Sequence, residues 1–262
     1  MFGLNLGATS SSASGYDPDA DAYFTAVEAA SGTLSDTFKT NYNTMILTLK
    51  SDGVYSKLLR FNPNAGGTEA AAEVDQIIPT TNNINFVNSP TIDAEIGITF
   101  DGFTQYATTG FVPSTGFADA YDHQEGVFSI SPSTVSNGNI IGAQDSNLIL
   151  LKSRHTGGRI HYFAHYSISS TSFPAANQMI QGSRQNNSYM QLTIDGVIES
   201  SLTTTTSNPL PAVEFYYGAK NKNDVAEQFA NGKWCFMYLA QSLTDADELN
   251  LSNAIHTFIA SL

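Results

Sequence analysis

Charge is scarce in this chain: charged residues make up 13% of its 262 positions, about half of the roughly 25% usual in soluble domains. The basic half is the scarcer. Lys plus Arg total 11 against 24 Asp plus Glu, a formal net charge of -13, so the surface repels phosphate backbones and argues against nucleic acid or an anionic membrane as partner. The one cysteine, Cys235, cannot form an internal disulfide, and within the apolar run 234–238 it reads as a small buried hydrophobe. No stretch approaches the roughly 18 apolar residues of a membrane span, and residues 1–15 lack the basic start and apolar core of a signal peptide. The expectation is a protein made in, and initially kept in, the cytoplasm. Also absent are a Gly-x-Ser-x-Gly elbow, a phosphate-cradling loop and a Cys-x-x-Cys pair, which leaves nucleophilic hydrolysis, nucleotide chemistry and structural zinc without support. No cofactor is implied.

What is present is a mainly β pattern behind a helical start. Residues 1–16 are mostly small and polar, with the run Ser10-Ser11-Ser12-Ala13-Ser14-Gly15, a composition that reads as a flexible tether or arm. Residues 17–67 read as a helical attachment segment. Asp17-Pro18-Asp19-Ala20-Asp21 supplies an N-cap, a proline at the first helical position and acids at the positive end of the dipole, and predicts a helix to about Ala30. Leu34, Phe38, Tyr42, Met45, Ile46 and Leu49 form one helical stripe, predicting a second helix from near Ser35 to Gly53. A third short helix or turn is expected over Val54–Phe61, before the breakers of 62–67.

Residues 68–262 read as a sandwich. Short β-branched or aromatic runs bounded by Asn, Gly, Pro or Asp recur at 84–87, 96–100, 126–130, 139–143, 147–151, 159–165, 189–194, 213–219 and 233–240. Asp195-Gly196 predicts a type I′ hairpin, and Gly157-Gly158 a second one. About ten short strands without intervening helices predict a two-sheet antiparallel jelly roll. Thr244-Asp245-Ala246-Asp247-Glu248 then opens a C-terminal helix whose apolar face is Leu251, Ile255, Phe258, Ile259 and Leu262, a face expected to pack on the sandwich or the front helices.

Three segments in this order, Asp19–Ala26, Leu49–Leu58 and Leu243–Leu251, with Phe100-Asp101-Gly102-Phe103-Thr104-Gln105-Tyr106 between them, resemble tailed-phage virion proteins in which a helical segment precedes a concanavalin A-like, laminin G-like sandwich. The resemblance covers residues 17–262 and departs from it at 62–67. It implies a virion component (head decoration, head fibre or tail-associated) located on the particle, in contact with other virion proteins and repeated as a homo-oligomer. It implies no inherited catalytic residues.

Each pattern that could carry chemistry also has a structural account. Glu73-Val74-Asp75 is the nearest match to the Glu-x-Asp-x-x-Glu strand of sandwich glycosidases but lacks the final acid. Asp17, Asp19, Asp21 and Glu28 fit a calcium loop except that Ala22 stands where the sharp turn needs glycine, so a capped helix is the better account. His161 and His165 sit about 13 Å apart along a strand, too far for one ion; neither they nor His155 make a metal site. The chain therefore reads as a non-enzyme. Binding needs only aromatic and polar groups on loops, and three places offer them: Tyr121 with Asp122; Arg154 with Arg159; and Arg184, Asn186, Asn187 and Tyr189. On this reading a receptor-binding adhesin for a host-surface glycan is the alternative to a purely structural part, and a polysaccharide-degrading enzyme the third possibility. Tyr216, Tyr217 and Trp234 read as core.

Overall fold

The computed structural model describes residues 15–81, 83–154, 158–164, 166–172, 175–186, 189–203 and 209–262. The tether expected at 1–16 lies outside them except for its last two residues. Helix α1 (Pro18–Ala29) starts where Asp17 accepts a hydrogen bond from the Asp19 amide, and α2 (Asp36–Ser51) where Ser35 Oγ accepts from the Phe38 amide. The third helix expected over 54–61 is one 3-10 turn at Tyr55–Lys57, and the chain then enters the sheet as β1 (Leu58–Asn62). Pairing decides this: the Leu58–Asn62 backbone hydrogen-bonds along 237–240, which no short helix permits.

A short α3 (Glu69–Ala72) leads to β2 (Asn85–Val87), β3 (Thr91–Ile92), β4 (Ile98–Asp101) and β5 (Tyr106–Thr108). After the single turn α4 (Pro113–Gly116) come β6 (His123–Ser131), β7 (Gly138–Gln144), β8 (Leu148–Arg154), β9 (His161–Ala164) and β10 (Tyr166–Ser169). The chain continues as β11 (Gln178–Asn186), β12 (Tyr189–Ile194), β13 (Val197–Thr203), β14 (Tyr216–Tyr217), β15 (Lys220–Lys222), β16 (Val225–Glu227), β17 (Asn231–Ala240) and α5 (Asp245–Ile259).

These strands form the expected antiparallel sandwich. The first sheet runs β13-β12-β11-β6-β17-β4-β3 with β1 also paired to β17, and the second runs β10-β9-β8-β7-β14-β5-β2. The β15–β16 hairpin hangs on β7 through a short parallel pairing. Asp195 and Gly196, both at positive φ, close the β12–β13 hairpin as a type I′ turn.

Alternation along the strands sorts side chains into two cores. Val127, Ile180, Leu192, Trp234 and Leu239 fill the space between the sheets with Tyr162, Ile141, Leu151 and Tyr217. Phe128, Met179, Cys235, Phe236 and Tyr238 face the other way, against Tyr23, Phe38, Tyr42, Leu49, Ile255 and Phe258 of the helices. A bulge at Cys235–Tyr238, with Phe236 at φ 49°, turns the Phe236 ring into the helical layer. There it meets Tyr42 and Phe258 with ring centroids 6.4 and 5.6 Å away. The outer face of the first sheet is thus covered by α1, α2 and α5, and Cys235 is the buried hydrophobe expected of it.

Candidate ligand-binding face

The structure divides the candidate residues between opposite ends of the sandwich. Tyr121, Asp122 and Arg184 lie beside the start of β6, whereas Arg154 and Arg159 flank the β8–β9 connection at the far end of β8, about 20 Å along a seven-residue strand. Asn187 falls outside the described residues. Asn186 is exposed and Tyr189 half-buried, and the two pair with each other at the β11–β12 turn.

Arg184, expected on a loop, is a buried strand residue, 2% exposed. Its guanidinium lies over the Tyr121 ring, 5.2 Å from the centroid, and donates to the Ala164 carbonyl at 3.4 Å. It is joined between the sheets by His123, whose Nδ1 is 3.4 Å from Glu125 Oε2, and by Tyr162. Burial pushes the Glu125 carboxyl up, with His123 opposing, and burial and then Glu125 push the Tyr162 hydroxyl up. Asp122 is occupied as well, its Oδ1 accepting the Ser242 amide at 2.6 Å. This end of the molecule is a polar plug in which Arg184, Asp122 and the His123–Glu125 pair tie loops and sheets together.

The other carboxylates considered for chemistry are likewise engaged. Glu73 accepts the Phe86 amide at 2.7 Å. Asp75 accepts the Phe61 amide at 3.1 Å and those of Ile77 and Ile78 at 2.7 and 3.1 Å. Asp17 and Asp19 share Lys50, each at 2.6 Å, and Glu28 bonds Lys39. His155 and His165 lie outside the described residues, among which no His/Cys/Asp/Glu cluster suits a metal ion.

What no helix covers is the outer face of the second sheet. On β8 the residues Ile149, Leu151 and Ser153 turn inward, so Leu150, Lys152 and Arg154 turn outward. Across the sheet Tyr216 pairs with Gly142, Gly142 with Leu150, and Leu150 with Phe163; in the next row Lys152 pairs with His161. The Tyr106 and Tyr216 rings lie 4.8 Å apart, and those of His161 and Phe163 stack at 5.7 Å. Gly142 leaves room for the crossing β15 chain: a Cβ there would meet Lys220 Cα at 3.4 Å and Leu150 Cβ at 3.1 Å. Lys220 thereby comes down beside Lys152. Burial, and then the neighbouring Lys220 charge, lower the Lys152 amine, and burial lowers Lys220 against the pull of Glu227. Arg154, from the sequence-derived set, lies on this face and is exposed, and Arg159 is exposed at its edge. Sequence reasoning missed Lys152, Lys220 and Phe163. The signal available was Leu150, Lys152 and Arg154, two cations at alternate strand positions in a chain poor in them.

No protein-family model matches the chain, and no curated protein does. Solved structures do. Domain 4 of an extracellular family-43 arabinanase from Geobacillus stearothermophilus, in complex with arabinotriose, superposes with a TM-score of 0.53 at 11% identity, over 75% of this chain and 98% of that one. A Trypanosoma rangeli sialidase mutant with trans-sialidase activity superposes at 0.59 and 12% identity, over 83% of this chain and 39% of that one. The binding domain of Botulinum neurotoxin DC, in complex with rat synaptotagmin II, superposes at 0.53 and 11% identity, over 76% of this chain and 52% of that one. The chain thus spans the whole arabinanase domain but about 39% of the sialidase. At these identities the likeness is one of fold: a lectin-like β-sandwich.

Proposed function

We propose that this protein is a non-catalytic glycan-binding module carried on a phage particle, where its helical side meets other virion proteins or further copies of the chain and its second sheet faces outward. The observation that carries the binding half is the asymmetry of the sandwich. Helices cover one outer face; the other, crossed by the β15 chain, carries the half-buried rings of Tyr106, His161 and Phe163 and five of the 11 basic residues: Lys152, Arg154, Arg159, Lys220 and Lys222. Stacked rings with a few charged groups on a rigid sheet are what sugar recognition requires. A non-catalytic role is supported by Glu73, Asp75 and Glu125, each bound to a backbone amide or to His123. Carriage on a virion rests on the resemblance in the helical motifs and on the tether-like start.

Two experiments test the reading. Glycan-array screening of the full chain should find saturable binding to a defined set of oligosaccharides, and folded, monodisperse protein that binds none at micromolar concentration sinks the binding half. Cryo-EM of the particle encoded with this chain should place residues 15–60 against the shell or tail, and absence of the chain from purified particles overturns the virion half.

A further inference from the structure

We propose that the outer face of the second sheet holds a recessed anion site, built on Lys152 and Lys220, that receives the carboxylate of an acidic sugar such as a uronic acid. The inference rests on the glycan-binding reading above and adds the chemical class of the ligand. Lys152 and Lys220 are each 7% exposed, and an ammonium partly withdrawn from water is costly unless a negative group accompanies it. Lys220 has one such group, Glu227, at 3.5 Å, and shares it with Lys222, also at 3.5 Å. Lys152 has none: among the described residues its ammonium meets the Phe163 ring, 5.9 Å from the centroid, and the repelling charge of Lys220. One carboxylate between the two amines would relieve both the desolvation and the repulsion, and charge-assisted hydrogen bonds of this type are the strong ones.

The surroundings favour a sugar over a free anion. Phe163 stands across from Leu150 and next to Lys152, half-buried, its ring stacked on His161 and capped by the Lys152 ammonium, which gives the anion site an aromatic wall. Arg154 is exposed about 7 Å further along the outward face of β8, within reach of a second acidic unit of an oligosaccharide. A carboxylate at the lysines thus directs the next residue of the oligosaccharide toward Arg154. Inorganic phosphate would use the lysines alone.

The test uses the full chain, a galacturonate trisaccharide, the neutral galactose trisaccharide and inorganic phosphate at matched ionic strength. Binding is read by calorimetry, and occupancy by protection of Lys152 from amine acylation in mass spectrometry. The acidic trisaccharide is expected to bind and to protect Lys152. Lys152→Met is expected to weaken it about ten- to hundredfold, while Lys152→Arg keeps most of the affinity. Met retains the stem and removes a buried charge, so that variant should melt no lower than the parent. Equal binding of the two trisaccharides, or protection by phosphate as good as by the acidic trisaccharide, overturns the inference. Array binding confined to neutral sugars would sink this inference and leave the glycan-binding reading standing, whereas no binding to any glycan sinks that reading itself.

Discussion

At the scale of single residues, close packing sets the tightest constraints. A Cβ built at Gly182 on β11 would lie 2.3 Å from the Tyr162 ring, so this strand position takes glycine because a tyrosine from the opposite sheet lies flat against it. Gly182→Ala should cost about 1–3 kcal/mol by overpacking. In urea titrations the change should be less than additive with Tyr162→Leu, which removes the clashing ring atoms. An additive pair would show that the two residues do not meet. Nothing in the sequence marks Gly182, since its partner lies 20 positions away and in the other sheet.

At the scale of elements, the helices and the first sheet share one core. Tyr42 and Phe258 pack on Phe236 of β17, with Phe38 against both of them, and α5 is fixed by a Thr244–Asp247 capping box whose Asp247 also bonds Lys57 at 2.7 Å. Glu248 adds polar anchors, accepting from Thr193 at 2.9 Å and Gln191 at 3.2 Å on β12. Deleting residues 1–52 would therefore bare the Phe236 ring of β17 and the Phe258 ring of α5. The truncated chain is expected to aggregate or to lose its cooperative melting transition, read by calorimetry and light scattering. A soluble truncation that melts like the parent would mean that the helices only decorate the sheet. Both long helices and α5 were legible because caps and apolar stripes are local signals. The central strand β11 was not: Gln178-Met179-Ile180-Gln181-Gly182-Ser183-Arg184 is polar because its outward residues meet the Glu248 network and its inward Arg184 meets the plug, a demand made by neighbours rather than by the segment.

For the molecule as a whole, buried acids give stability a distinct pH dependence. Burial raises Glu73, Glu125 and Glu248, and pushes Asp75 up to about 6 against the amides of Ile78 and Phe61 and the charge of Arg60. An acid whose folded value lies above its unfolded value leaves the folded state holding more protons in between. Its contribution is full below the unfolded value, near 4, and is lost as pH rises through the folded value. Other acids run the opposite way: against slight burial, Asp101 is held at about 2 by the Thr104 and Phe103 amides, and Asp93 is lowered by Lys233. These contributions disappear as pH falls below about 4. The melting temperature should rise from pH 7 toward pH 5 and fall again below pH 4, and Asp75→Asn should flatten the upper limb. A melting temperature that climbs steadily to neutral pH would contradict the burial of these carboxylates.

The sequence by itself determined what depends on neighbours in the chain. These are the caps at Asp17, Ser35 and Thr244, the type I′ turn at Asp195-Gly196, the strand-rich class and the buried character of Cys235. It also marked Arg154 as a residue on a possible binding surface. Only the tertiary structure decided which outer face the helices leave uncovered, that Arg184 is locked under Tyr121, and that Lys220 crosses Gly142 to stand beside Lys152. Those outcomes depend on strand order, register and helix packing between segments far apart in the chain, and alternation within one strand says which residues share a face but not what the fold lays over it.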